Sequence, residues 1–187
     1  MIIGIDEVGR GAWAGPLLFV AVGLGEVIVG LADSKKLTKK TREVLAGEIK
    51  QKANFVGYGW VTPSEVDDLG LTKASELACK RALVGAPNTE RILIDGSINF
   101  LKDLPNTECI IDGDDKVPEI SAASIVAKVE RDNFMAEQAL IYPAYGFENN
   151  VGYGTKKHSE VIKSHGLTPI HRWSFKPIKE FLDNYEA

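Results

Sequence analysis

The sequence contains few cysteines and no long apolar run. Only Cys79 and Cys109 occur among its 187 residues, and they form no CxxC pair. This excludes a disulfide framework and a cysteine zinc site, and it is typical of a reducing compartment. No apolar stretch reaches the ~18 residues of a membrane span, and no basic region precedes the first apolar run. We therefore expect a cytoplasmic protein with no signal peptide and no membrane partner.

Histidine is also scarce. The three histidines, His158, His165 and His171, have no ligand-like spacing with cysteine. We expect each to be structural or to lie near a bound phosphate group.

Charge is low overall but unevenly distributed. The formal net charge is −4, which argues against a nucleic-acid partner for the chain as a whole. However, residues 35–52 hold seven basic side chains against two acidic ones, and residues 151–181 hold six against two. These runs indicate either a basic groove around an acidic centre or two solvated helix faces.

Apolar periodicity, glycines and capping residues divide the chain into strands and helices. Strands are predicted at 1–6, 17–23 and 54–61, and in "RILIDG" and "ECIIDG". Helices are predicted at 38–52, from Thr62 to a break at Gly70, at 72–84, from Pro118 through "EISAASIVAKVERDNFMAEQAL", at 155–165, and after Pro177. This order predicts three antiparallel strands followed by parallel strands added through helical crossovers, which gives a mixed sheet flanked by helices.

Four acids lie at or just beyond the ends of the predicted strands: Asp6, Glu7, Asp95 and Asp114. Clustered carboxylates raise one another's pKa, so the arrangement is tolerable mainly when a cation neutralises them. Oxygen ligands favour Mg²⁺ or Mn²⁺, and two such ions can drive phosphodiester hydrolysis. Because neighbouring residues of a strand point to opposite faces, Asp6 and Glu7 can share a site only if the strand ends or twists there.

The stretch "IIDGDDKVPEI" offers three aspartates within four residues, Asp112, Asp114 and Asp115. They cannot all be ligands of one small site. An extended chain would place Asp112 and Asp114 on one face, and Gly113 is expected to bend it, so alternation leaves the choice between those two open.

The ordered motifs resemble ribonuclease HII, the bacterial type 2 ribonuclease H. They are "GIDEVGRG", "AGPL", "DSKKL", "LIDG", "GDDKVPEISAASIVAKVERD", "YGFENNVGYGTKKH" and "HGLTPIHRWSF", and they span about residues 4–177. The resemblance implies one ribonuclease H-like catalytic domain over residues 1–187, with residues from about 143 as a helical C-terminal extension. It implies a monomeric, metal-dependent endonuclease that cuts RNA in RNA/DNA hybrids. It also implies cleavage 5′ of ribonucleotides in duplex DNA, leaving 3′-hydroxyl and 5′-phosphate ends.

The resemblance also assigns residues by motif. It implies Asp6, Glu7, Asp95 and Asp114 as catalytic ligands of two Mg²⁺ or Mn²⁺ ions. The implied substrate-binding residues are Gly9, Arg10 and Gly11 as a sensor of the ribose 2′-hydroxyl, Tyr153 against the sugar, and Lys35 and Lys36 on phosphates. Glycines allow close backbone approach to a sugar, and arginine can hold a phosphate.

Two other features accompany this assignment. The family commonly has Pro-Leu after the Gly-Arg-Gly turn, whereas this chain has Ala12-Trp13, which is expected to loosen the turn. Arg131 and Asp132, in the long helix, are expected to brace the site or each other and not to bind metal.

Two rival hypotheses remain open on the residues alone. One is a carboxylate-metal nuclease of the same broad fold that acts on DNA and needs no 2′-hydroxyl. The other is a non-catalytic nucleic-acid binding module, against which the retained set of acids argues.

Overall fold

The computed structural model describes residues 1–183, which form five strands and seven α-helices. The strands are β1 (Ile2–Val8), β2 (Leu17–Leu24), β3 (Ala53–Val61), β4 (Arg91–Asp95) and β5 (Thr107–Ile110). The helices are α1 (Lys39–Lys52), α2 (Pro63–Ala82), α3 (Gly113–Lys116), α4 (Pro118–Ile141), α5 (Phe147–Asn150), α6 (Lys156–His165) and α7 (Lys176–Asp183). Short 3-10 turns occupy Ser34–Lys36 and Pro143–Tyr145. Residues 184–187, the end of the predicted C-terminal extension, lie outside the described residues.

The sheet has the strand order β3-β2-β1-β4-β5. β1 pairs antiparallel with β2, and β2 pairs antiparallel with β3. β4 and β5 are added in parallel on the other side of β1. The predicted mixed sheet is therefore confirmed. Because Ile5 pairs with Ile94, Asp6 and Asp95 follow at the neighbouring carboxyl ends of β1 and β4.

Helices cover both faces of the sheet. On one face, α2 packs over a core that includes Ile3, Ile5 and Phe19. On the other face, α1 and α4 pack over Leu18 and Val20. The small residues of α4 allow the helix to approach the sheet closely, and Gly4 supplies the other half of the contact. A Cβ built on Gly4 would lie 2.3 Å from the backbone of Glu119 and Ile120.

The predicted helix starts are also observed. Thr38 caps α1 by accepting a hydrogen bond from the Thr41 amide. Thr62 and Glu65 form the reciprocal capping box that opens α2. Gly70 interrupts α2 with φ of 73°, as expected for a residue with no Cβ. Strand β1 continues to Val8, so it does not end between Asp6 and Glu7.

The C-terminal region packs on the rest of the chain through a third apolar cluster. This cluster joins Ala14 and Met135 to Phe147, Ile162 and Ile178. The Asp67 carboxylate in α2 also accepts hydrogen bonds from the amides of residues 173 and 174, at 2.8 and 2.9 Å. Within residues 1–183, no helix is long and apolar enough to cross a membrane.

We expect Gly4→Ala to destabilise the protein, because the added methyl group meets the backbone of α4, which cannot rotate away. Overpacking of this kind costs about 1–3 kcal/mol. Gly47→Ala is the matched control, since Gly47 lies in α1 with open space around its Cβ position. Alanine should stabilise that helix by roughly 0.5–1 kcal/mol. Urea unfolding measures both, and a Gly4→Ala protein as stable as wild type would contradict the close packing.

Candidate active site

A cavity of about 290 Å³ opens at the carboxyl ends of β1 and β4. Eight of the predicted site residues line it: Asp6, Glu7, Gly9, Arg10, Gly11, Lys35, Asp95 and Tyr153. They come from β1, from the turn that follows it, from the first 3-10 turn, from β4 and from the loop before α6. Residues far apart in sequence are thus brought to one place, where ligands of such sheets commonly bind.

Asp6 is the most buried acid of the site, with only 8% of its surface exposed. Its Oδ1 accepts a hydrogen bond from the Glu7 amide at 2.7 Å, which orients the carboxylate. Burial raises the pKa of Asp6 well above its ordinary value, and the charges of Glu7 and Asp95 raise it further. Keeping the Asp6 carboxylate charged therefore costs free energy, and packing of the apolar core does not require an acid at this position.

Glu7 follows Asp6 on the same strand and still lines the same cavity. Its pKa is also raised, chiefly by burial and then by Asp95, while Arg10 and Lys35 oppose the shift. The two neighbouring acids share the cavity without a break in β1. Asp6 is the first residue of β1 beyond its last pairing with β4, and both acids still pair with β2, opposite Val20 and Phe19.

Asp95 ends β4, and the chain beyond β5 holds it in place. The Gly113 amide donates a hydrogen bond to Asp95 Oδ1 at 2.7 Å. A side chain at position 113 would crowd this contact, because a Cβ there would lie 2.6 Å from Ile120 Cδ1 and 3.1 Å from Asp95 Oδ1. Glycine at this position therefore lets the start of α3 touch the carboxylate of β4.

The three aspartates around Gly113 have different surroundings. Asp112 adopts left-handed backbone geometry with φ of 53°, and its side chain is 74% exposed. Asp115 accepts 2.7 Å hydrogen bonds from Lys36 Nζ on both oxygens, which lower its pKa. Asp114 is half-buried and is not among the residues that line the cavity; burial, Asp95 and Asp33 raise its pKa. The bend expected at Gly113 is present.

The Gly9-Arg10-Gly11 turn is held from behind by two fully buried arginines, Arg131 and Arg172. Gly9 has φ of 82°, and a Cβ there would lie 2.1 Å from Arg131 Nε. The Arg172 guanidinium donates to the carbonyl of Arg10 at 3.0 Å and to that of Gly15 at 3.0 Å. Burial lowers the pKa of Arg172 to about 9, with Arg131 contributing.

Arg131 makes similar contacts, both to the loop after β1 and to the loop that carries Tyr153. Its guanidinium donates to the carbonyls of Ala14, Pro16 and Val151 at 3.1, 2.9 and 2.8 Å. It therefore braces the loop, as expected, while Asp132 accepts a hydrogen bond from Lys128 at 2.8 Å.

Ala12-Trp13 does not loosen the turn. Ala12 is buried, and the Trp13 amide donates to the Gly152 carbonyl at 2.8 Å. The Trp13 indole fills the space above Gly154, where a Cβ would lie 2.1 Å from its ring. Tryptophan therefore joins the turn after β1 to the loop that carries Tyr153.

The Tyr153 loop is tightly constrained. Val151 adopts a left-handed conformation with φ of 42°, which is unusual and costly for a β-branched residue. Gly152 packs so closely that a Cβ would lie 2.1 Å from the Ala14 carbonyl oxygen. The Tyr153 ring is 38% exposed at the cavity, with the Arg131 guanidinium 5.7 Å from its centroid.

Lys35 and Lys36 are separated by the structure. Lys35 lines the cavity, whereas exposed Lys36 pairs with Asp115 outside it. Three polar residues that sequence reasoning missed also line the cavity: Ser34, Ser124 and Lys128. Ser124 and Lys128 are four residues apart on α4, so helical spacing of polar residues among alanines could have indicated them.

The oxygen-rich site fits a hard divalent cation in its chemistry. Within residues 1–183, no group of three or more His, Cys, Asp or Glu side chains is arranged so that it could hold a metal ion without rearrangement. Burial, and after it the charges of neighbouring carboxylates, raise the pKa values of Asp6, Glu7 and Asp114, and a bound cation would favour their charged forms.

Comparison with known proteins agrees with this architecture. Residues 3–178 match the family model of ribonuclease HII. A ribonuclease HII from Bacillus thuringiensis (strain Al Hakam) is 47% identical over 183 residues, covering 97% of this chain and 71% of that protein. The crystal structure of ribonuclease H2 from Pyrococcus horikoshii OT3 superposes with a TM-score of 0.83 at 23% identity, covering 100% of this chain and 99% of the other. Bst-RNase HIII in complex with Mn²⁺ gives 0.72 at 20%, covering 98% and 69%.

The fold and the site therefore define a nuclease of the ribonuclease H-like class, as the motifs implied. Within that class, the chain belongs to the ribonuclease HII family. It is a hydrolase and endonuclease of the ribonuclease H type, whose enzymes act on RNA/DNA hybrids.

Asp6→Asn should raise the melting temperature in EDTA, because it removes the charge whose burial is opposed by Glu7 and Asp95. The folded pKa of Asp6 lies above its ordinary 3.8, so wild-type stability falls as pH rises above that value. The advantage of the variant should therefore grow as pH rises from 3.8 to the folded pKa of Asp6 and stay constant above it. For a chain of this size, each kcal/mol corresponds to about 2–4 °C.

Thermal unfolding by circular dichroism measures this effect. Asp68→Asn is the matched control, because Asp68 is an exposed acid on α2. Adding Mg²⁺ should stabilise wild type more than Asp6→Asn. A variant that melts below wild type in EDTA at pH 7 would show that Asp6 stabilises the fold as a charged group.

Proposed function

We propose that this protein is a divalent-metal-dependent ribonuclease. It hydrolyses the RNA strand of RNA/DNA hybrids and cuts 5′ of ribonucleotides embedded in duplex DNA, leaving 3′-hydroxyl and 5′-phosphate ends. The observation that carries the proposal is buried Asp6 beside Glu7 and Asp95, in a cavity rimmed by the Gly9-Arg10-Gly11 turn and Tyr153. The acid cluster, next to a glycine-rich turn and a tyrosine ring, favours cleavage at a ribose.

The proposed cofactor is a pair of Mg²⁺ or Mn²⁺ ions held by Asp6, Glu7, Asp95 and Asp114. Such ions, when bound, activate a water molecule and neutralise charge on the leaving oxygen. The protein's part is to hold the carboxylates in place. The amides of Glu7 and Gly113 orient Asp6 and Asp95. The manganese complex of Bst-RNase HIII, which shares the fold, supports this choice of metal.

Substrate selection is assigned to the turn after β1 and to Tyr153. The backbone at Gly9-Arg10-Gly11 is rigid, because Arg131 and Arg172 fix its surroundings, and Gly11 is exposed with open space around it. Backbone groups there can approach a ribose closely enough to read its 2′-hydroxyl. Lys35 in the cavity is well placed for a phosphate, and Lys36 would first have to release Asp115.

We also propose that residues 1–187 form one catalytic domain, with residues from about 143 as its C-terminal extension. Support comes from the apolar cluster and the Asp67 hydrogen bonds that join this region to the body of the fold. A monomeric state and a cytoplasmic location remain predictions from the sequence.

A substrate panel tests the proposed activity. With Mg²⁺ or Mn²⁺, we expect cleavage of an RNA/DNA hybrid and of a DNA duplex containing one ribonucleotide, because both offer a 2′-hydroxyl. The all-DNA twin should survive, and EDTA should abolish cutting. Gel analysis of end-labelled strands measures each case. Equal cutting of the two duplexes would favour the DNA nuclease, and undiminished cleavage in EDTA would remove the two-metal proposal.

The choice among the three aspartates is tested by single-turnover cleavage in Mg²⁺. Asp114→Asn should lower the rate by orders of magnitude, since asparagine keeps the shape but loses the charge that holds a cation; each tenfold loss corresponds to about 1.4 kcal/mol. Asp112→Asn and Asp115→Asn serve as matched controls and should stay within roughly tenfold of wild type. A dead Asp112→Asn beside an active Asp114→Asn would mean that the fourth carboxylate is misassigned.

A further inference from the structure

Two of the three histidines form a buried pair behind the Tyr153 loop. His158 and His171 are 0% and 1% exposed, and their Nε2 atoms lie 3.1 Å apart. Rings of Trp13, Tyr145 and Phe147 surround them, with centroid distances of 5.5–5.6 Å to the nearer imidazole. This burial removes both from direct contact with a phosphate, one of the two roles expected from the sequence.

The hydrogen bonds around the pair determine where each proton lies. The Thr168 amide, which can only donate, lies 2.9 Å from His171 Nδ1. That nitrogen must therefore accept, and the neutral ring carries its proton on Nε2. The Thr168 hydroxyl lies 2.9 Å from the same nitrogen and can also donate to it. The Thr168 carbonyl is 3.3 Å away, and the shorter amide contact takes precedence over it. Nε2–H of His171 then donates to Nε2 of His158.

The position of the proton on the second ring follows in the same way. With its Nε2 occupied as an acceptor, neutral His158 carries its proton on Nδ1. His158 Nδ1 lies 3.0 Å from the Tyr153 carbonyl oxygen, to which it donates. Hydrogen bonds thus run in one direction, from the Thr168 amide through both imidazoles to the backbone of Tyr153. Burial lowers the pKa of both histidines, that of His171 to about 4, so both are neutral at pH 7.

This relay completes a set of three consecutive backbone anchors. The Val151 carbonyl accepts from Arg131, and the Gly152 carbonyl accepts from the amides of Trp13 and Ala14. The Tyr153 carbonyl accepts from His158. The first two anchors place the loop, and the third acts on the residue whose ring lines the cavity.

We propose that His158 and His171 are positioning residues: their one-way hydrogen-bond relay fixes the Tyr153 backbone and thereby aims the Tyr153 ring at the sugar of the substrate. This rests on the role proposed above for Tyr153. The histidines touch neither substrate nor metal, and act only through the Tyr153 loop.

The tautomers give a test that does not depend on nuclease activity. Long-range ¹H–¹⁵N spectra of the ¹⁵N-labelled protein at pH 7 should show His171 protonated at Nε2 and His158 protonated at Nδ1. Exposed His165 serves as an internal reference, and His165→Asn assigns its signals. The reverse tautomers, or a doubly protonated ring at pH 7, would overturn the relay.

Kinetics test the positioning role on the duplex with one ribonucleotide in Mg²⁺. His158→Leu should lower kcat by about tenfold, and His158→Asn by no more than about threefold, since the asparagine amide can replace the Nδ1–H donor. His165→Asn is the control and should match wild type. Equal losses in the Leu and Asn variants would overturn the specific role of the donor. If His158→Leu fails to fold, the Asn variant and the tautomer spectra still decide.

A double-mutant comparison separates this inference from the proposed function. In a Tyr153→Ala background, His158→Leu should change kcat by less than about twofold, because the ring that it positions is gone. An undiminished effect there, with Tyr153→Ala itself slow, would overturn the relay alone. If Tyr153→Ala cleaves as fast as wild type, the role of Tyr153 fails, and the positioning proposal fails with it.

Discussion

The central position of β1 is the constraint on which the rest of the structure depends. It lies between antiparallel β2 and parallel β4, and Asp6 follows directly after its last pairing with β4. Asp6 is buried there, and its pKa rises because burial and neighbouring carboxylates both oppose its charge. The fold thus retains an unfavourable charge where a cation would relieve it. Such a cost is expected at a functional site, where local stability is commonly traded for activity.

Two buried arginine side chains lie behind this acidic site. Arg131 and Arg172 are fully buried, and their guanidinium groups donate to carbonyls of the loop after β1. Several contacts of this kind join segments more than 100 residues apart in sequence. Through Arg172, the C-terminal region therefore shapes the Gly9-Arg10-Gly11 turn, even though none of its residues is among the four candidate carboxylates.

Much of this arrangement could be predicted from the sequence, and physical reasons explain why the rest could not. The mixed sheet flanked by helices follows from the order of the elements, and the caps at Thr38 and Thr62 and the break at Gly70 follow from local chemistry. The convergence of Asp6 and Glu7 on one cavity does not, because alternation along a regular strand places neighbours on opposite faces. The partners of Lys36 and the packing of Trp13 depend on contacts distant in sequence, which no local pattern reports.

Four carboxylates from β1, β4 and α3 are proposed to act as one two-ion site. The most direct measurement is anomalous diffraction from crystals grown with Mn²⁺, which locates each ion without reference to activity. We expect manganese at about 2 Å from oxygens of Asp6, Glu7, Asp95 and Asp114. Manganese bound without Asp6, or bound by Asp112 or Asp115 in place of Asp114, would contradict it.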